Sequence, residues 1–124
     1  MRIRGIAVVA IMASSLVLAG CAPSIASDCE YIFDRVNKMN QAYDRTDNYD
    51  ELASAAVSSR TILFGLASKG FQNEDLQEAI DKLVDSGLSV ADTVLSQGEN
   101  YSGKVDAFDL ATVKLARVCG YSVE

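Results

Sequence analysis

The sequence predicts an all-α protein, an antiparallel up-down-up-down four-helix bundle closed by one disulfide. Three observations lead there. Apolar residues recur at intervals of three and four along four successive segments after residue 26, the spacing of one buried helical face. No stretch alternates apolar and polar residues, and no Asn-Gly or Asp-Gly pair offers a tight hairpin turn. Cys29 and Cys119 stand at the outer ends of the first and last segments. Four antiparallel helices with short loops bring those two ends together.

The first helix is expected from about Ser27 to Arg45, with Cys29, Ile32, Phe33, Val36, Met39 and Tyr43 on its inner face. Ser27 or Asp28 can cap its start, because both side chains accept from free amide groups. Asp44 to Asn48 reads as a loop, and Asn48 with Glu51 three residues on resembles a capping box. The second helix spans about Tyr49 to Ser68. Leu52, Ala56, Ser59, Leu63 and Leu66 point inward, and Val57, Ile62 and Phe64 widen the stripe, so burial on more than one side is expected. Gly70 tolerates the left-handed conformation that closes a helix, and Lys69 complements the negative end of the dipole.

Asn73 caps the third helix, with Glu74 and Asp75 in its first turn. Leu76, Ile80, Leu83, Gly87, Val90 and Val94 follow as a coiled-coil-like seam, and Gly98 is the expected stop. Gly87 costs about 1 kcal/mol in helix propensity relative to Ala. Close approach of a neighbouring helix, with Ala53 and Ala56 facing the glycine, would offset that cost. Glu99 to Gly103 is a loop with Ser102 as candidate cap. The fourth helix covers about Lys104 to Val118, lined by Val105, Phe108, Ala111, Thr112, Leu115 and Cys119, with Gly120 closing it.

The chain has 124 residues, room for one compact domain. Its 49% apolar and 23% charged shares fit a folded protein. With 17 acidic against 11 basic side chains it lacks the clustered cations that bind a phosphate backbone, so no nucleic-acid partner is expected. The absence of His removes the commonest general base and metal ligand.

Residues 1–20 read as a targeting segment. Arg2 and Arg4 precede Ile6 to Leu18, an uncharged, mostly apolar run of 13 residues. A membrane span needs roughly 20 such residues, so the run has the length of a signal core. It ends in Leu18-Ala19-Gly20-Cys21, which resembles the lipobox of bacterial lipoproteins. The resemblance covers residues 1–21 alone. It implies cleavage between Gly20 and Cys21, a diacylglycerol and acyl chain on Cys21, a lipidated tether over 21–26 and a helical domain over 27–124. It places the mature chain on a cell membrane or outer membrane, outside the cytoplasm. Ala22 is not the Asp that the class uses for inner-membrane retention, which implies outer-membrane sorting in a two-membrane cell. Without Arg2 and Arg4 the mature chain keeps 9 basic against 17 acidic residues, a net charge of −8, so the lipid must do the anchoring.

Cys29 and Cys119 then remain. Outside the cytoplasm an even pair reads as one bridge. The alternatives are two buried thiols or a redox pair, although the spacing is not Cys-x-x-Cys. In the bundle the turn between the second and third helices, Lys69 to Gln72, shares the stapled end. Phe71 there either touches the membrane or packs the turn onto the core.

Candidate chemistry is sparse. Without His, a Ser-His-Asp or Cys-His site cannot form, and no Ser-x-x-Lys motif occurs after residue 20. Asp44, Asp47, Asp50 and Glu51 could offer oxygens to a hard cation, but they lack the EF-hand spacing and its glycine, and solvation and helix capping account for them. No metal, no cofactor beyond the covalent lipid, and no enzymatic activity are expected. Tyr43, Tyr49, Asp50 and Tyr101 fall near the two loops at the far end, and Tyr is enriched at interfaces. They form a candidate partner surface, or else tyrosines covering the ends of the core. The expected role is a non-enzymatic structural or interaction module of the cell envelope, bound to an envelope protein. The alternative is a carrier holding a small apolar ligand or lipid between the helices, beside Gly87, Ala53, Ala56 and nearby serines.

Overall fold

Residues 23–98 and 101–122 are described by a computed structural model of the chain. Four helices, α1 (Pro23–Asp44), α2 (Tyr49–Lys69), α3 (Glu74–Ser96) and α4 (Tyr101–Val118), carry nearly all of them. There is no strand among the described residues. α3 lies between α2 and α4 and packs against both, while α1 packs on α2. The Cys29–Cys119 disulfide is formed across 90 residues of sequence, with the two Cα atoms 5.9 Å apart.

The expected inner faces hold. Ile32, Phe33, Val36, Met39 and Tyr43 of α1 are buried, as is the whole α3 seam from Leu76 to Val94. Asn48 and Asn73 cap α2 and α3, each side-chain oxygen accepting an amide three residues on at 2.9 Å. α4 ends as expected. Gly120 takes a positive φ of 77°, and its N–H and that of Tyr121 close on the carbonyls of Arg117 and Ala116. This is the paired bond pattern that a left-handed closing residue permits. At Gly70 the φ of 71° likewise turns the chain out of α2.

Three boundaries and one face differ from expectation. α1 begins at Pro23, not about Ser27, so Ser27 and Asp28 are inside the helix and cap nothing. Proline is pre-set for the first helical position, where its missing N–H costs nothing. Ile25 then packs against the core, giving the added turn an apolar contact. The tether assigned to residues 21–26 is therefore helical from Pro23 onward. α3 closes on Gln97, the one non-glycine residue with positive φ among the described residues, and not on Gly98. The N–H groups of Gln97 and Gly98 bond Val94 and Thr93, which holds the unfavourable conformation in place. α4 begins at Tyr101, so Ser102 lies within it; the Tyr101 ring packs on the core and draws the first turn in. Finally, Val57 and Phe64 of α2 are 54% and 49% exposed. α2 touches α1 and α3, and one line of its surface is left over. Ile62 alone of the three widening residues packs on the core.

Gly87 is approached closely, but by other partners than expected. A Cβ placed there would lie 2.7 Å from Leu63 Cδ1 and 3.0 Å from Phe108 Cε1. Large side chains from α2 and α4 fill the space, where Ala53 and Ala56 were expected.

Candidate functional site: the two ends of the bundle

Cys21 lies outside the described residues. The chain is first seen at Pro23, two positions later, at the end that carries the disulfide. Here Cys29 is 1% exposed and Cys119 is partly buried. The Phe33 and Tyr121 rings meet edge-on beside the bridge, with centroids 5.1 Å apart. Desolvation, followed by the nearby Glu30 carboxylate, raises the Tyr121 pKa above its ordinary range. The Tyr31 ring receives two cations, the Arg35 guanidinium at 3.6 Å and the Lys69 ammonium at 5.0 Å. Such contacts are worth about 0.5–1 kcal/mol at exposed sites. Lys69 also lies 5.7 Å from the Phe71 ring. The Phe71 N–H donates to Gln77 Oε1 at 2.6 Å, which ties the turn to α3.

Two open grooves flank Ile25 at this end. One, of about 410 Å³, has an apolar floor of Ile25, Ala79 and Val118 with Lys82 and Lys114 beside Asp75 and Glu78. The other, of about 330 Å³, runs past Asp28 to Lys69, Gly70 and Phe71. Neither was legible beforehand, because both depend on the extra turn that α1 gains at Pro23.

At the far end the expected partner surface is largely folded inward. Tyr43 is 2% exposed and belongs to the core. Tyr101 is partly buried, and its hydroxyl oxygen is out of water with no hydrogen-bond partner. Tyr49 is half-buried and donates to the Val94 carbonyl at 3.2 Å, joining the start of α2 to the end of α3. Asp50 alone of the four is exposed. The reason is economy of area: an aromatic ring at a helix end covers core that the short loops cannot.

What the structure does bring together is a knot of buried hydroxyls. Burial raises the pKa of both Tyr43 and Tyr101, and at Tyr101 the nearby Tyr43 phenol adds a smaller rise. Ser59, 1% exposed, faces the Tyr43 phenol and partly offsets that rise, but the pair falls outside hydrogen-bond geometry. Thr46 closes α1, its hydroxyl donating to the Tyr43 carbonyl at 2.8 Å.

Between the ends, Val57 and Phe64 share one line of α2, seven residues apart. Arg60 sits between them, 5.7 Å from the Phe64 ring and 3.7 Å from Asp92 of α3. The heptad spacing of Val57 and Phe64 was the available signal that they form a second line, separate from the inner face.

Among the described residues no cluster of three or more Cys, Asp or Glu side chains is arranged to hold a metal ion. Among them, too, no helix is long and apolar enough to cross a membrane. No family model, no curated protein and no solved structure matches this sequence.

Proposed function

We propose that the protein is a lipid-anchored lipoprotein of the bacterial envelope, acting as a non-enzymatic structural or interaction module. The observation that carries this reading is the division of the three cysteines. Cys29 and Cys119 are consumed by the bridge. Cys21 is left as the one remaining thiol, in Leu18-Ala19-Gly20-Cys21 behind a basic start and a short apolar run. A disulfide also suits a compartment outside the cytoplasm. The anchor would hold the protein on a cell membrane or outer membrane without crossing it.

We read the helices as running up-down-up-down. Three contacts support this: the Cys29–Cys119 bridge between the start of α1 and the end of α4, the Tyr49–Val94 bond, and Lys69 at the end of α2 over Tyr31 near the start of α1. Val57 and Phe64, left in water on one side of α2, favour an interaction role over a purely structural one. The carrier alternative has less behind it, since Leu63 and Phe108 occupy the space beside Gly87.

The test is metabolic labelling with an alkyne fatty acid in the producing cell. The wild-type chain takes up label and Cys21→Ser does not. Label retained by Cys21→Ser would remove the anchor assignment.

A further inference from the structure

We propose that the stapled end of the bundle is itself a bilayer-contact face, seated on zwitterionic phospholipid headgroups with the Phe71 turn at headgroup level. The inference rests on the anchor reading above and deepens it by assigning the face and the orientation.

The first argument is reach. α1 starts at Pro23, two residues beyond Cys21. Consecutive Cα atoms are about 3.8 Å apart, so the helix begins no more than about 8 Å from the lipidated residue. The headgroup layer on each side of the hydrocarbon is itself about 5–8 Å thick. A helix already formed two residues beyond the anchor allows a spacer of two residues at most, so its first turn stands within the layer.

The second argument is what else lies at that level. Ile25, in the first turn of α1, borders both grooves, and across them stand Phe71 and Gly70 on one side and Val118 on the other. Ile25 and Phe71 both pack partly on the core and keep part of their surface open, so a layer that meets one meets the other. The turn has the chemistry of an interfacial contact. Phe, like Trp and Leu, supplies the apolar side of interfacial segments at the boundary between headgroups and acyl chains, and a Lys beside it can keep its stem in apolar surroundings and its charge in water. Lys69 and Phe71 make such a pair.

The third argument selects the lipid. Lys82 and Lys114 share their groove with Asp75 and Glu78. A mixed surface on a chain of net negative charge gains nothing from anionic lipid and matches headgroups that carry both signs. The groove at the opposite end, about 260 Å³ between Arg45 and Glu51, is lined by Ala42 and Ala55 with no aromatic ring, and Tyr43 there is in the core with the Tyr101 hydroxyl buried.

The chain contains no Trp, so single substitutions give clean fluorescent reporters. Lipidated mature protein with Phe71→Trp, Phe64→Trp or Asp50→Trp is incorporated into phosphatidylcholine vesicles, with or without bromine on the acyl chains. Emission from the Phe71→Trp protein shifts to the blue and loses intensity in brominated vesicles, while the other two reporters do not respond. If Phe71→Trp fails to fold, Gln72→Trp at the exposed neighbouring position gives the same reading. Vesicle-bound protein with an unquenched reporter at 71 overturns the proposal. Quenching at 64 instead overturns it as well, and would lay the bundle on the Val57–Phe64 side of α2. Protein that does not float with the vesicles at all overturns the anchor reading, and the seating falls with it.

Discussion

Near the start of α1, Cys29 is bonded to Cys119, and Phe33 meets Tyr121 edge-on at 5.1 Å. Fourteen residues further along the same helix, Tyr43 sits in the core with Ser59 and Tyr101 around it, three hydroxyls out of water and none in hydrogen-bond geometry. At a rise of about 1.5 Å per residue the two regions are about 20 Å apart. Both close a helical bundle with aromatic rings. One adds a covalent bond and rings without buried polar debt, the other carries desolvated oxygens. The contrast teaches where this small core gets its cohesion. The disulfide constrains the unfolded chain, whereas the tyrosine end depends on apolar contact large enough to outweigh stranded hydroxyls.

The largest effect should come from the bridge. Closing a loop of 90 residues stabilises by about 4–5 kcal/mol in the chain-entropy treatment. The double variant Cys29→Ser and Cys119→Ser should lose about that much in urea unfolding, enough to unfold a marginal domain. A loss under about 1 kcal/mol would mean that the stapled end coheres by packing, and the contrast between the ends would vanish.

A smaller effect probes the waist that joins the two ends. Gly87→Ala puts a methyl 2.7 Å from Leu63 Cδ1. Overpacking costs about 1–3 kcal/mol, and the gain in helix propensity returns about 1. The net expectation is a loss of up to about 2 kcal/mol by urea unfolding. A net gain would mean that the core at Gly87 yields easily and that space for a ligand exists there.

The two ends also differ in how far the sequence exposed them. Residue spacing revealed the α3 seam, the inner face of α1 and the two Asn caps, because periodicity and capping are local. The bridge was legible from compartment and topology together. Two features were hidden, and a third read two ways. The start of α1 at Pro23 turns on a balance between a proline, which reads as a helix stop from one side and a helix start from the other, and the packing of Ile25. The outward line of Val57 and Phe64 depends on α2 having neighbours on two sides only. The burial of Tyr43 followed from its place on the α1 stripe, yet its nearness to a loop and its hydroxyl suggested an interface. An amphipathic ring at a helix end satisfies both patterns, and only packing separates them.

The smallest effect concerns those hydroxyls and carries a sign that can be worked out. Tyr43→Phe removes an oxygen with no partner, so stability should rise by a few tenths to about 1 kcal/mol at neutral pH. A loss of similar size would mean that Ser59 accepts from the phenol in solution. The pH dependence gives an independent reading. Burial raises the pKa of Tyr43 and Tyr101 above 10.0 in the folded chain. The folded state therefore keeps these protons after the unfolded chain has released them. Their contribution is fully present below pH about 10 and falls as the pH climbs beyond it. The double variant Tyr43→Phe and Tyr101→Phe should flatten that alkaline decline. Tyr121→Phe, at the stapled end, should flatten it less, since that ring is less buried and its rise has a nearby carboxylate as second cause. Equal flattening by the two would mean that the ends bury their phenols alike, and the tyrosine end would lose its distinction.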